Sequence, residues 1–182
     1  MTPSSQTHTI TLGGGCFWCT EAVYLQVRGV LSVESGYSNG QVSRPSYEAV
    51  CSGQTGCVEV VKLVFDPAQI SLDEILEIFF LIHDPTTLNR QGHDVGTQYR
   101  SGIYVESQAQ AVAVGRFLDD LKAQRAGQAP IVTEVLPLAH YWPAEAYHQN
   151  YYARHPDQGY CVHVVGPKVD KFRRTLKRLM RA

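Results

Sequence analysis

Two periods of hydrophobicity alternate along this chain. The run 58–65 is rich in β-branched residues and is stopped by Asp66-Pro67, which predicts a strand. On that strand Glu59 shares a face with Val61, Leu63 and Phe65, while Val58, Val60, Lys62 and Val64 take the other. Residues 9–12 predict an earlier strand running into Gly13-Gly14-Gly15, and apolar positions at helical spacing then predict a helix over 16–26. A strand over 30–37 and one or two helical turns over 47–51 follow. Ser71 and Glu74 form a capping box for a helix carrying Ile75, Leu76, Ile78, Phe79, Phe80 and Ile82, closed by Asp84-Pro85. Beyond the polar loop 86–97 the pattern predicts a strand over 99–105, a helix over 107–126, a strand over 131–136 and a helix over 144–154. No repeat or composition break interrupts the alternation, so the expectation is one α/β or α+β domain over 1–182. Residues 1–8 are expected to be a flexible N-terminus and 168–182 a basic C-terminal helix.

Composition narrows the class. With 182 residues, 44% hydrophobic and 18% charged, the chain is neither disordered nor fibrous and is long enough to bury its own core. The longest apolar stretch, 75–82, is broken by Glu77 and falls far short of the roughly 20 residues of a membrane span, so no membrane association is expected. Residues 168–182 hold seven basic residues and one acid, but Val169, Phe172, Leu176 and Leu179 recur at helical spacing. That pattern predicts a docked amphipathic helix with a solvated basic face, not a nucleic-acid element. The polar N-terminus shows no secretory pattern, which makes the cytoplasm the expected compartment.

Five cysteines, at 16, 19, 51, 57 and 161, invite separate readings. Cys16 follows three glycines at a strand-to-helix turn, where backbone N–H groups and the helix dipole favour a thiolate nucleophile. Phe17 and Trp18 put large apolar faces beside it. Cys16 and Cys19 have the spacing of a dithiol redox pair, whereas zinc would need a second pair that Cys51 and Cys57 are badly spaced to supply. Glu59, sharing a face with three apolar side chains, is expected to be desolvated, protonated and able to donate a proton. The polar loop supplies Asp94, Gln98, Tyr99 and Arg100, and Tyr47 and Tyr99 offer hydroxyls that stay neutral near pH 7. Cys161, on a Gly-containing segment, can bring a second sulfur to the first, while Cys51 and Cys57 are read as structural.

These residues together resemble the A-type peptide methionine sulfoxide reductases. The resemblance begins at Gly14-Gly15-Cys16-Phe17-Trp18 and continues through Tyr47, Val50-Cys51-Ser52-Gly53 and Glu59-Val60-Val61. Further matches are Gly36-Tyr37, Phe65-Asp66-Pro67, His83-Asp84-Pro85, Arg90-Gln91-Gly92 with Asp94, Gly96-Thr97-Gln98-Tyr99-Arg100-Ser101, Ala144-Glu145 with Tyr147-His148-Gln149, and Gly159-Tyr160-Cys161. The resemblance implies a two-layer α/β sandwich around a mixed sheet with a ferredoxin-like core and the nucleophile at a helix N-terminus. It implies thiol-dependent reduction of the S-epimer of methionine sulfoxide, free or in proteins, by a monomer with no bound cofactor and with thioredoxin or another dithiol as external reductant.

By the same resemblance Cys16 is the nucleophile, Phe17 and Trp18 hold the substrate methyl, Glu59 is the acid, and Tyr47, Asp94 and Tyr99 bind the oxygen. Cys161 is the recycling cysteine. Three positions depart from the family pattern: Cys19 stands where glycine is common, Cys57-Val58 replaces His-Ala, and His93 replaces Asn. Cys19 is therefore a rival resolving thiol. Cys161 is expected to act first, approaching from outside the pocket, with Cys19 relaying the disulfide outward. The alternative function is a thioredoxin-like dithiol oxidoreductase using Cys16 and Cys19.

Overall fold

The computed structural model describes residues 6–182; most of the expected flexible N-terminus, residues 1–5, lies outside the described residues, and His8 already belongs to the first strand. In chain order the elements are β1 (His8–Gly13), α1 (Phe17–Tyr24), β2 (Val30–Ser38), α2 (Tyr47–Cys51), β3 (Val58–Phe65) and α3 (Leu72–Ile82). They continue as β4 (Arg90–Gln91), β5 (Asp94–Val95), β6 (Gly102–Val105), α4 (Gln108–Gln124), β7 (Glu134–Pro137), β8 (Trp142–Pro143), α5 (Tyr151–Arg154) and α6 (Gly166–Thr175).

The β-branched run of β3 forms the middle of a six-stranded sheet ordered β7-β6-β1-β3-β2-β8. All its neighbours pair antiparallel except β6 and β7, which the α4 crossover makes parallel. Within it, β1-α1-β2-β3-α3-β6 gives the strand order β6-β1-β3-β2, the ferredoxin-like core expected from the sequence. Ile10 and Leu12 stand opposite Leu63 and Val61 on the face that receives Val23 of α1, Phe79 of α3 and Phe172 of α6. Val58, Val60 and Tyr104 face the other way and are covered by Leu138 and Tyr141.

Several element ends differ from the sequence reading. Helix α3 keeps its capping box: Ser71 Oγ accepts from Glu74 N–H at 3.1 Å and Glu74 Oε2 from Ser71 N–H at 3.0 Å. The expected helix over 144–154 is instead a tight turn, Ala146–His148, followed by α5, because Asn150 takes the left-handed conformation at φ 56° and breaks the helical path. The polar loop closes into the β4–β5 hairpin, and Thr97–Tyr99 forms a turn before β6. The C-terminal stretch is docked as expected, with Val169, Phe172, Leu176 and Leu179 buried, but its helix runs earlier than 168–182: it starts as a wide π turn over Cys161–Val165 and ends at Thr175, after which Lys177–Leu179 form a separate tight turn. No helix among the described residues is long and apolar enough to cross a membrane.

Candidate active site

The end of β1 delivers Cys16 to the N-cap of α1. Gly15 makes the turn at φ 90°, and a Cβ there would lie 2.6–2.7 Å from the side chain of Gln91, so glycine is required on both counts. Beside this helix end lies Glu59. Pairing with Tyr37 across β2 places it on the helix-facing side of β3, where the alternation had put it, and it is 1% exposed. Its Oε1 accepts the Phe17 N–H at 3.2 Å, while Oε2 is buried with no partner among the described residues. Burial pushes the carboxyl up to about 8, against the opposing pull of the Phe17 N–H, and the negative groups of Asp94 and Cys19 push the same way. At neutral pH the group is an acid.

Cys16 is buried at the helix end. The expectation of a resting thiolate is corrected here. Burial, the hydrogen bond with Cys19 and the nearby Glu59 raise this thiol well above its ordinary range, and the single Trp18 N–H that favours the anion does not offset them. Cys19, one turn on, is drawn down by its hydrogen bond with Cys16, against the cost of burial, and then by the Lys168 ammonium and the Tyr160 hydroxyl. Of the two coupled thiols, Cys16 therefore holds its proton more tightly and Cys19 is the one that more readily gives its proton up.

Around this pair stands an aromatic wall. Trp18 donates its Nε1–H to His148 Nδ1 at 3.0 Å and stacks on Tyr151 with ring centres 3.7 Å apart. Tyr160 meets the Trp18 ring edge-on and donates its hydroxyl to Asp94. Phe17 lies against Tyr37 and His148, and Tyr47 against His148 at 4.5 Å. The structure thus brings together Cys16, Phe17, Trp18, Cys19, Tyr47, Glu59, Asp94 and Tyr99. Burial raises the phenols of Tyr47 and Tyr99, with Glu59 acting on both, so both remain donors.

Two carboxylates, the half-buried Glu145 and the buried Glu21, pin the loops of this wall. Glu145 accepts from the Tyr37 hydroxyl at 2.9 Å and the Tyr47 N–H at 3.2 Å; against the cost of burial, such hydrogen bonds hold it below its usual range. Glu21 of α1 accepts from the Asn150 N–H and thereby sets the start of α5, which carries Tyr151 onto Trp18. The sequence reading gave no role to Glu21, Tyr151 or Lys168. It included Tyr37, Glu145, His148 and Tyr160 only within matched motifs. The glycine turn before Tyr160 and the Glu145-x-x-His148 spacing were the available signals, and neither reveals a partner distant in sequence.

Other expectations are corrected. Arg100 takes no part: its Nε binds Glu134 at 2.9 Å and its Nη2 the Gly56 carbonyl at 3.0 Å, which ties β6 to β7. Gln98 is buried. Cys51 is not structural but exposed, next to the Tyr47 hydroxyl, whereas Cys57 is buried as expected. Cys161, expected on a segment that can move, is fully buried in the π turn of this structure; burial and the nearby Cys19 raise its thiol. No cluster of three or more metal-binding side chains occurs among the described residues.

Comparison with known proteins places this geometry. A family model described as "Peptide methionine sulfoxide reductase" matches residues 8–179. The peptide methionine sulfoxide reductase MsrA of Ralstonia nicotianae is 54% identical over 177 residues, covering 95% of this chain and 93% of that protein. The methionine sulfoxide reductase A structure from Corynebacterium diphtheriae superposes with a TM-score of 0.80 at 36% identity, over 90% of this chain and 81% of that one. Reduced Mxr1 from Saccharomyces cerevisiae gives 0.78 at 35% identity over 88% of this chain and 92% of that one. Mxr1 in complex with Trx2 gives 0.55 at 25% identity, over 83% and 88% of the two chains.

Proposed function

Because the chain belongs to the peptide methionine sulfoxide reductase family, oxidoreductases that reduce methionine sulfoxide with thiols, we propose that Cys16 and Glu59 carry the reaction and that the substrate is the S-epimer, free or in proteins. The observation that carries this reading is the unpartnered, buried Oε2 of a protonated Glu59 beside the helix end that bears Cys16. A sulfoxide sulfur becomes electrophilic when its oxygen is protonated, so an acid and a sulfur nucleophile must act across the S–O bond together. Glu59 gives its proton to the oxygen and Cys16 attacks, passing its own proton along the existing hydrogen bond to Cys19. Loss of methionine leaves a sulfenic acid on Cys16. Tyr47, Tyr99 and Asp94, the last through Tyr160, hold the oxygen and the polar end of the site, while Phe17 and Trp18 receive the methyl group.

Cys19 then resolves the sulfenic acid: its thiol displaces water from Cys16 and closes a Cys16–Cys19 disulfide. This reverses the order expected from the sequence. Cys19 is already hydrogen-bonded to Cys16, whereas Cys161 lies buried near Cys19. Attack by Cys161 on Cys19 frees Cys16 and moves the disulfide to the C-terminal segment, where an external dithiol can reduce it. The Mxr1–Trx2 complex supports thioredoxin as that dithiol. We read the protein as a cytoplasmic monomer. A dithiol oxidoreductase would use Cys16 and Cys19 but leave Glu59 and the aromatic wall idle, and the family match sets it aside.

The test is turnover of resolved sulfoxide epimers with a dithiol, for wild type and Cys16→Ser. The S-epimer should turn over and the R-epimer poorly, since exchanging oxygen and methyl would bury the oxygen unpaired against Phe17 and Trp18. Cys16→Ser should be inactive. Equal rates on both epimers, or an active Cys16→Ser, would refute the assignment.

A further inference from the structure

The basic C-terminal stretch, which the reductase reading leaves mostly without a role, does not spread all its charges into solvent. Lys168 and Lys171, one helical turn apart on α6, line an open cavity of about 620 Å³ together with Arg125, the residue that ends α4. Three cations gathered round one hollow repel each other unless something negative lies between them. The protein supplies one carboxylate, Asp84, held below its usual range by its Thr86 hydrogen bonds with help from the Arg125 charge, and the described residues form no salt bridge there. Among the described residues the ion pairs are Arg100–Glu134 and Arg178–Glu77, both elsewhere.

The two other titratable groups of the lining do not fill the gap. Asp84 is committed to its own loop, its Oδ1 accepting the Thr86 N–H at 2.9 Å and hydroxyl at 2.6 Å, and it makes no ion pair with the three cations. His83 is neutral, held down to about 4 by burial, with its ring nitrogens occupied by the Phe79 carbonyl and the Ser101 hydroxyl. Three positive groups against one carboxylate leave the hollow clearly positive although the whole chain carries −1. Arg125 is half-buried at the cavity edge with its Nε closed off and without an acceptor among the described residues, which leaves the terminal guanidinium nitrogens as the groups a ligand in the cavity can meet.

We propose that this cavity binds a phosphate group, free or as a monoester, between Arg125 on one side and Lys168 and Lys171 on the other. A guanidinium offers a planar fork to two phosphate oxygens, and the lysines act as movable point charges on the third. A dianion suits a hollow with this excess of positive charge better than a single carboxylate does. The cavity is also roomier than a bare ion needs, and Phe80, Leu81 and Pro85 give it an apolar side where the organic part of a monoester can rest.

The experiment is calorimetric titration of the whole protein with inorganic phosphate and, separately, with AMP, at ionic strength held constant with sodium chloride so that general screening does not change. Saturable binding of one equivalent is expected, weakened tenfold or more in Arg125→Gln/Lys171→Gln and unchanged in Lys177→Gln, a basic residue of the same tail outside the cavity. Tighter binding of AMP would identify a monoester as the source, and tighter binding of phosphate the free ion. Amide NMR shifts in the wild type, which need no variant, should cluster at 82–86, 125–129 and 166–171. Binding that does not saturate, that survives the double substitution, that falls equally in Lys177→Gln, or whose shifts centre elsewhere would overturn the site.

Discussion

The two walls of the reductase site are built by different means. On one side, Cys16, Phe17 and Glu59 are placed by regular backbone: the end of β1, the first turn of α1 and the alternation of β3. On the other, Tyr47, Asp94, Tyr99, His148, Tyr151 and Tyr160 come from separate short segments. Those segments are held largely by side-chain anchors, among them Glu21, Glu145, Gln149 on Ser35, and Arg154 on the Tyr147 and Gln149 carbonyls. A helix end and a paired strand are over-determined by many backbone hydrogen bonds and by the core beneath them, whereas a loop held by a few side chains is less so. Damage to the first wall should therefore strike the chemical step, and damage to the second should strike binding and alignment.

The comparison is tested most severely at Glu59. Glu59→Gln should lower the single-turnover rate of sulfoxide reduction by roughly 10²-fold while KM changes little, because the amide can still hydrogen-bond but cannot release a proton. In wild type that rate should fall as pH rises through about 8, where the acid ionises, and the limb should vanish in the variant. A rate that rises there instead would mean that ionisation of Cys16 limits the step.

Next in size is the thiol relay, which belongs to the first wall for Cys19 and to the C-terminal segment for Cys161. After one equivalent of sulfoxide without reductant, Cys161→Ser should form the Cys16–Cys19 disulfide at the wild-type rate, and Cys19→Ser should accumulate the sulfenic acid. Peptide mapping with thiol trapping reads both. A Cys16–Cys161 bond formed at full speed in Cys19→Ser would restore the order expected from sequence alone.

For the second wall, Glu21→Gln weakens the anchor of α5 and so the stacking of Tyr151 on Trp18. KM should rise several-fold with a smaller change in kcat, tryptophan fluorescence should shift, and stability should drop by about 1–3 kcal/mol, the usual cost of a buried group left poorly partnered. If kcat fell as far as in Glu59→Gln, the division between the walls would be wrong.

The last test concerns folding and not turnover. Because the carboxyl of folded Glu59 is raised from an ordinary 4.5 to about 8, the native state holds a proton that the unfolded chain releases. Its contribution is intact below about pH 4.5 and is lost as pH rises through 8. Melting curves should show Glu59→Gln close to wild type at pH 4 and more stable, by on the order of 10 °C, at pH 9. A gain independent of pH would place the carboxyl's ionisation elsewhere.

What the sequence by itself determined was whatever depends on local period and backbone chemistry. The strand face of Glu59 followed from alternation, the turn before Cys16 from its glycines, the start of α3 from its capping box, and the docked face of α6 from its spacing. The tertiary structure alone decided what depends on desolvation and on neighbours far along the chain. Dipole and glycines at the end of α1 predict a thiolate at Cys16, but only the packed core shows that burial outweighs them and leaves the proton on that sulfur. The flexible look of Gly159 suggested a mobile Cys161, yet the π turn buries it near Cys19. Tyr160 on Asp94, Tyr151 on Trp18 and Glu21 on Asn150 join residues 66 to 133 positions apart, and no local pattern encodes such pairings. They exist because the fold closes a core around them, where each polar group must find whichever partner packing brings within reach.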